Sequence, residues 1–291
     1  TLLYQLSLAF IDSGDIAFVP NAGLPLYRRI TLACGGEPIG YPVSAKNGWR
    51  PDLDKINSKL GRAARVLFLN SPHNPSGVDL TAGELEEIVW LAGRENLIVI
   101  NDAAYQSVSG RKVASLLSVT GGKKNGAEVY SFSYMLGLPS VPFGFIVGNR
   151  EIISSLEQTA RLLPYRVPND FAEMATAALR QFPGEGLTTV RKRFQQGLAA
   201  ADQFLEKLSL ERTGGDAVPF LWARIERRRQ SMAAATALYR RSRVLLAPGQ
   251  AFGDNGEGFL RLSLTAPADD FRKGCERIKG KLRLLKLGED E

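Results

Sequence analysis

The feature that most constrains the fold is a set of short, uninterrupted apolar segments that each run into polar residues. Val66–Leu69 leads into Asn70–Gly77, and Leu97–Ile100 leads into Asn101-Asp102. A third strand is expected over Val129–Ser133, with hydroxyl side chains at its end. Short uninterrupted apolar runs of this kind are typical of strands that are buried on both faces of a sheet.

The first two of these strands are separated by a segment with the pattern of an amphipathic helix. Thr81 is followed three residues later by Glu84, which is the spacing of a capping box. The apolar residues that follow recur at helical spacing and share one face: Leu85, Ile88, Val89 and Ala92. The alternation of strand, helix and strand predicts βαβ units and a mostly parallel sheet, as in an α/β domain.

The pattern changes after residue 150, where helical segments such as Leu187–Leu208 dominate. Strands are expected among them over Phe220–Ile225, Val244–Leu246 and Leu260–Leu264. We therefore predict a large α/β domain over residues 1–182 and a smaller α+β domain over residues 183–291. Because Thr1–Phe10 reads as the middle of an amphipathic helix, we expect the large domain to be N-terminally incomplete.

The composition of the chain limits the kinds of partner that it is expected to bind. The chain has 37 Lys and Arg against 30 Asp and Glu, a formal net charge of +7, which suits either solvated helix faces or acidic and phosphate partners. We find no spacing for a metal site and no basic–aromatic interleaving, so we predict no nucleic-acid partner. No apolar run approaches the roughly 20 residues of a membrane span, so we predict no membrane partner. Cys34 and Cys275 stand in no redox pattern, which suits buried packing and a cytoplasmic location.

Candidate ligand-binding residues follow the predicted strands, and the carboxyl ends of parallel strands meet at one edge of a sheet. Asn74 presents an amide from a loop that contains two prolines. The Asp102 carboxylate would suit a protonated ring nitrogen, and Tyr105 could hydrogen-bond a neighbouring phenolic oxygen. The hydroxyls of Ser131 and Ser133 would suit a phosphate. Taken singly, each of these features also has a structural interpretation as a turn, a cap or a serine-rich strand end.

Taken together and in order, these segments resemble the fold-type-I aminotransferases of class I and II. Asn70–Gly77 resembles that family's Asn-Pro-x-Asn-Pro-[Ser/Thr]-Gly motif, and Asp102–Tyr105 resembles its Asp-x-x-Tyr. Ser131–Tyr134 followed by Gly144-Phe145 resembles Ser-x-Ser-Lys…Gly-Phe, except at the lysine. A later stretch, Ala247–Gly253 and then Gly258–Arg261, is similar to the family's carboxylate-binding segment. Within the family, the chain is most similar to the LL- and N-succinyl-diaminopimelate aminotransferases.

The resemblance implies pyridoxal 5′-phosphate (PLP) as cofactor and assigns roles to the matching residues. Asn74 and Tyr105 would contact the 3-oxygen of the cofactor ring, and Asp102 would pair with its pyridine nitrogen. Ser131, with Ser133, would hold the phosphate.

The resemblance also implies a substrate class and an assembly. Arg261 would bind the α-carboxylate of an amino acid or 2-oxo acid substrate in a bidentate fork. The family's active site forms between two subunits, so a homodimer is implied as well.

The chain departs from the family at three positions of this site. Tyr134 stands where the family has its Schiff-base lysine, and a tyrosine has no amine with which to bind the cofactor covalently. Pro142 replaces a phosphate-binding arginine, and Leu24 replaces a ring-stacking aromatic residue. Lys123 and Lys124 are predicted to lie in a glycine-rich loop at the opposite end of the strand, where they could not replace the lysine.

We therefore expect transamination to be lost or impaired and PLP, if bound, to be held non-covalently and weakly. The alternative interpretation is a catalytically inactive homologue that binds a ligand or stabilises a partner subunit.

Overall fold

The structure is a computed structural model and describes residues 1–58, 63–135, 143–163, 167–181, 185–207, 210–225, 230–266 and 268–279. It confirms the predicted α/β class: six strands form one mostly parallel sheet in the first half of the chain. A second, four-stranded sheet follows in the second half.

The six-stranded sheet has the order β2-β1-β3-β4-β5-β6. The pairs among β1 to β5 are parallel, and β6 pairs with β5 antiparallel. The strands are β1 (Ile16–Asn21), β2 (Glu37–Pro42), β3 (Ala64–Asn70), β4 (Ile98–Asp102), β5 (Gly126–Ser131) and β6 (Gly144–Gly148).

Burial on both faces of this sheet explains the uninterrupted apolar runs. Successive residues of a strand point to opposite faces, and Leu67 and Leu69 of β3 pack in one core cluster while Val66 and Phe68 pack in another. Helices cover the two faces: α1 (Leu2–Phe10), α2 (Leu26–Ala33), α3 (Leu53–Asn57), α4 (Ala82–Arg94), α5 (Gly122–Asn125), α6 (Phe132–Met135) and α7 (Arg150–Leu162).

The predicted capping box begins α4. The Thr81 hydroxyl accepts from the Glu84 N–H at 3.3 Å, and the Glu84 carboxylate accepts from the Thr81 N–H at 2.8 Å. These reciprocal bonds satisfy two amide groups that the first turn of a helix leaves without partners.

The four-stranded sheet has the order β7-β8-β10-β9 and is antiparallel. Its strands are β7 (Glu211–Thr213), β8 (Phe220–Arg224), β9 (Ala247–Pro248) and β10 (Phe259–Ser263). Helices α8 (Asn169–Gln181) and α9 (Glu185–Lys207) precede this sheet in the chain, α10 (Ser231–Ser242) lies between β8 and β9, and α11 (Ala268–Lys279) follows β10. A separate apolar cluster, which includes Leu205, Leu221, Leu238 and Leu260, lies under this sheet.

The two sheets meet through backbone contacts at the loop that follows β3. The Gly215 N–H donates to the Ser76 carbonyl at 2.9 Å, and the Ala217 N–H donates to the Gly77 carbonyl at 3.0 Å. Gly77 has φ +74°, and a Cβ on it would lie 2.5 Å from the Gly215 carbonyl oxygen. Only glycine fits there, which accounts for the last residue of the loop motif. The division into domains at residues 182 and 183 stays a prediction.

Three sequence predictions of local structure are wrong. Val244–Leu246 is not a strand: Arg243 adopts a left-handed backbone with φ +58°, and Leu245 is 75% exposed, so the segment leads from α10 into β9. Lys123 and Lys124 lie in the short helix α5 rather than in a loop. Ser133 lies in the helical turn α6, because β5 ends at Ser131.

The described residues contain no helix long and apolar enough to cross a membrane. They also contain no group of three or more His, Cys, Asp or Glu side chains that could hold a metal ion.

Candidate cofactor site

The site is built at the carboxyl ends of β3, β4 and β5, where the polar residues of the sequence were expected to meet. Asn70 ends β3 directly beside Asp102, which ends β4. The Asn70 amide donates to the Asp102 carbonyl at 2.7 Å, and its oxygen accepts from the Asn74 N–H at 2.7 Å. One buried side chain thus holds the Asn74 loop against the end of β4.

A second buried network supports the loop from the next strand. Asn101 accepts from the Ser71 N–H at 3.0 Å and donates to the Glu128 carboxylate at 3.0 Å. Glu128 is fully buried and also accepts from the Ser115 hydroxyl at 2.6 Å and the Tyr130 hydroxyl at 2.7 Å. Because its donors are fixed, this carboxylate orients the Asn101 amide, and Asn101 in turn orients the start of the loop.

His73 holds the loop from the side of β1. Its Nε2 lies 3.1 Å from the Ala22 carbonyl, and its Nδ1 lies 2.8 Å from the Ser76 hydroxyl. The carbonyl can only accept, so Nε2 carries the proton and Nδ1 accepts from Ser76. Burial lowers the pKa of His73 to about 4, although its bond to the Ala22 carbonyl opposes this change. The imidazole is therefore neutral at physiological pH.

Asp102 is a buried carboxylate with two hydrogen-bond donors. The Tyr27 hydroxyl donates to one oxygen at 2.8 Å, and the Ala104 N–H donates to the other at 3.2 Å. Burial raises the pKa of Asp102, and these two hydrogen bonds lower it in part. Burial, together with the neighbouring Asp102, also raises the pKa of Tyr27, so this phenol keeps its proton.

The Asn74 side chain lies between Arg261 and Tyr105. Its amide nitrogen donates to the Tyr105 hydroxyl at 3.1 Å, and its oxygen accepts from Arg261 Nη1 at 2.8 Å. The rings of Tyr105 and Tyr134 meet edge to face, with centroids 4.6 Å apart. Burial raises the pKa of Tyr105, and the proximity of Tyr134 and Asp102 raises it further. The structure thus brings four of the predicted site residues into contact.

Arg261 is enclosed by aromatic rings. Its guanidinium carbon lies 4.1 Å from the centre of the Phe220 ring and 4.8 Å from the centre of the Phe252 ring. Burial lowers the pKa of Arg261, and the nearby Tyr105 and Tyr134 oppose this change. Its buried Nε makes no hydrogen bond in the described part of the chain. The two rings cover the guanidinium, and its Nη1 donates to the Asn74 oxygen.

The remaining predicted positions are less closely tied to this cluster. Ser131 and Ser133 are both half-buried at the end of β5 and in the turn after it. Leu24 packs in the apolar cluster beside β1. Lys123 and Lys124 precede β5, at the end of the strand away from Ser131, as predicted. Pro142 lies outside the described residues.

The side chains fit PLP at its ring and not at its point of attachment. Asp102 is a buried carboxylate of the kind that holds a pyridine nitrogen cationic, and Asn74 and Tyr105 present polar atoms for a ring oxygen. Tyr134, which follows Ser133, offers a phenol and no amine.

Sequence reasoning missed Tyr27 and the buried support formed by Asn101, Glu128 and Tyr130. Tyr27 is 75 residues from its partner Asp102, so no local pattern joins them. The available signal was the segment Gly23–Tyr27, which follows the end of β1 and therefore enters the same edge of the sheet. Glu128, a charged residue inside an apolar strand, was a signal that a buried partner set exists.

Comparison with known proteins gives the family. A family model for aminotransferases of class I and II matches residues 1–278. The LL-diaminopimelate aminotransferase of Moorella thermoacetica is 31% identical over 279 residues, which cover 94% of this chain and 71% of that protein. The enzyme of the same name from Aquifex aeolicus is 29% identical over 274 residues, which cover 94% of this chain and 70% of that protein.

Comparison with solved structures shows the same fold. Substrate-bound BacF from Bacillus subtilis superposes with a TM-score of 0.86 at 27% identity, over 96% of this chain and 71% of that one. The N-succinyldiaminopimelate aminotransferase of Mycobacterium tuberculosis, at 20% identity, shares the fold with a TM-score of 0.89 over 96% of this chain and 74% of that one. The chain therefore belongs to the aminotransferases of class I and II, a family that depends on pyridoxal phosphate.

Proposed function

We propose that this chain binds PLP without a covalent bond and does not transaminate through a lysine-bound cofactor. The observation that carries the proposal is Tyr134, which follows Ser133 where the family motif has lysine and packs its ring against Tyr105. Its phenol cannot condense with an aldehyde, and it is a far weaker base than the amine that it replaces.

The other residues support binding of the ring and of a carboxylate. Bound PLP supplies an electron-withdrawing ring when that ring is protonated. Asp102 would hold the ring proton, and Asn74 and Tyr105 would orient the ring through its 3-oxygen. Arg261 would bind the carboxylate of an amino acid or 2-oxo acid, and Ser131 with Ser133 would hold the phosphate.

Two measurements on the purified chain test this proposal. Titration with PLP should give saturable binding with the absorbance of the free aldehyde, and Asp102→Asn should weaken it. An assay for exchange of amino groups between an amino acid and a 2-oxo acid should give no rate above that of free PLP. Because relatives carry the name LL-diaminopimelate aminotransferase, LL-diaminopimelate is the first amino acid to test. A PLP-dependent exchange that saturates with protein sites would contradict the proposal.

A second candidate function is that of an inactive subunit that pairs with another copy of the chain. Exposed apolar side chains on two helices that are consecutive in the chain favour it: Leu162 is 85% exposed, Leu179 is 45% exposed and Met174 is 38% exposed. Surfaces of this kind are typical of subunit interfaces. Light scattering should give the mass of a dimer, and Leu179→Glu should reduce it, whereas a monomer at all concentrations would contradict this function. We propose a cytoplasmic location, because Cys34 and Cys275 stand in no redox or metal-binding spacing in the sequence.

A further inference from the structure

Three charged side chains meet where the two sheets come together. Arg111 donates to both oxygens of the Asp79 carboxylate: its Nη2 bonds Oδ1, and its Nε lies 3.4 Å from Oδ2. Its Nη1 donates to the Asp216 carboxylate at 2.7 Å. One planar guanidinium thus bridges two carboxylates and fixes the directions of all three bonds. We call Asp79, Arg111 and Asp216 the Arg111 ion cluster.

Two members of the Arg111 ion cluster belong to segments that carry hydrogen-bonded residues of the candidate site. Asp79 comes two residues after Gly77, which ends the loop that presents Asn74. Arg111 follows Tyr105 on the segment after β4. The Asn74 amide donates to the Tyr105 hydroxyl at 3.1 Å. The bonds between Asp79 and Arg111 therefore join the two segments whose side chains meet in the site.

The third member joins the small sheet to the same point. Asp216 precedes β8, and the Phe220 ring at the start of β8 lies 5.7 Å from the Tyr105 ring and 4.1 Å from the guanidinium carbon of Arg261. Val218, between Asp216 and Phe220, is fully buried in one apolar cluster with Tyr105 and Phe220. The position of Asp216 is thus coupled through buried side chains to the ring that covers Arg261.

Glycines leave the junction of the two sheets with few other side chains to hold it. A Cβ on Gly214 would collide with the Ser76 carbonyl oxygen, and one on Gly215 would collide with that of Gly77. The segments are joined there by backbone hydrogen bonds from Gly215 to Ser76 and from Ala217 to Gly77. Because glycine is conformationally free, side-chain contacts beside these bonds are needed to define the geometry of the junction.

We propose that Arg111 is a positioning residue of the candidate site: its ion cluster fixes the junction of the two sheets and thereby holds Phe220 over Arg261. This role belongs to the ligand-free protein and does not depend on PLP binding. The side chains of Arg111 and Asp216 are 50% and 43% exposed, so dissolved salt can screen their attraction.

Two measurements on the ligand-free full chain test this role. Amide hydrogen exchange in peptides that cover residues 214–217 reports opening of the junction. The rate at which phenylglyoxal modifies Arg261, mapped by mass spectrometry of peptides, reports how well Phe220 covers the guanidinium. Arg111→Gln should raise both rates by about 3- to 10-fold at low salt, as expected for the loss of a bidentate, networked ion pair. Arg111→Lys keeps the charge without the planar fork, so it should raise both rates less.

A matched control removes a different ion pair. Arg65 is 53% exposed and lies 3.3 Å from Asp15, at the amino end of β3 and away from the Asn74 loop. Arg65→Gln should leave both rates unchanged, and urea unfolding of each variant shows that it is folded. In about 1 M sodium chloride, where charges are screened within about 3 Å, the wild type should approach Arg111→Gln.

The outcomes that would overturn this role are distinct from failure of the proposed function. Unchanged rates in Arg111→Gln, or a rise that Arg65→Gln reproduces, would overturn it. Faster exchange with unchanged modification of Arg261 would also overturn it, because the cluster would then be a local ion pair without influence on the site. Failure of the chain to bind PLP would contradict the proposed function and leave these results standing.

Discussion

Replacing Asp102 with asparagine should stabilise the ligand-free protein at neutral pH while it weakens ligand binding. Asp102 is 6% exposed, and its two oxygens accept from Tyr27 and Ala104. Asparagine has the same shape: its oxygen can accept from the Ala104 N–H, and its amide can donate to the Tyr27 oxygen. The variant therefore keeps two hydrogen bonds and removes a buried charge.

The pKa of Asp102 gives the sign of the stability change expected for Asp102→Asn. Burial raises it more than the two hydrogen bonds lower it, so burying the charged form costs more free energy than those bonds return. A carboxyl whose pKa is raised in the folded state lowers stability as the pH rises from its ordinary value of 3.8 through the folded pKa. We expect Asp102→Asn to raise the free energy of unfolding at pH 7 by about 1–2 kcal/mol, or the melting temperature by about 2–3 °C.

The assay is denaturant-induced unfolding of the wild type and the variant from pH 4 to pH 8. The gain should be largest at neutral pH and should shrink as the pH approaches 4, where the wild-type carboxyl is increasingly protonated. Asp12→Asn, at an exposed carboxylate, is the matched control and should change stability by less than about 0.5 kcal/mol. A variant that is less stable than the wild type at pH 7, or equally stabilised at every pH, would refute the reasoning.

Three further substitutions test the buried groups around the site, each by unfolding in urea. His73 is the only histidine, and its pKa falls from 6.5 to about 4 on folding. As the pH drops from 6.5 to 4, the free energy of unfolding of the wild type should therefore fall by about 3 kcal/mol relative to that of His73→Gln. A difference that does not change with pH would contradict this prediction. Glu128→Gln places an amide among four hydrogen-bond donors and should lower the free energy of unfolding by about 2–3 kcal/mol. An unchanged midpoint of urea unfolding would contradict the stabilising role of this hydrogen-bond network. Trp222 is fully buried, and its Nε1 has no hydrogen-bond partner among the described residues, so Trp222→Ala should cost about 3–5 kcal/mol of stability through lost packing and Trp222→Phe clearly less; equal costs would contradict this packing role.

The layout of the sheet could be predicted because it is encoded locally. Val66–Leu69 and Leu97–Ile100 are apolar without interruption since both faces of β3 and β4 are covered, and the Thr81 capping box marks the start of α4. The strand β7 was not predicted, because its three residues, Glu211–Thr213, have no apolar pattern and are held by pairing with β8.

The site could be predicted where residues follow strand ends and not where contacts are distant. Asp102 and Asn74 were placed at one edge of the sheet by topology alone. The Tyr27 contact with Asp102 is a long-range packing result that no local spacing encodes. Arg261 meets Asn74 across 187 residues, and it was identified only through resemblance to the family.

The most direct test of a lysine-free site is borohydride reduction of the PLP-treated protein, followed by mass spectrometry of its peptides. The wild type and Tyr134→Lys should be treated side by side. We predict no stoichiometric PLP adduct on any single lysine of the wild type, and an adduct at residue 134 of the variant, which would show that the position faces the cofactor. A stoichiometric adduct on one lysine of the wild type would contradict the account, because another amine would then replace the one that Tyr134 lacks.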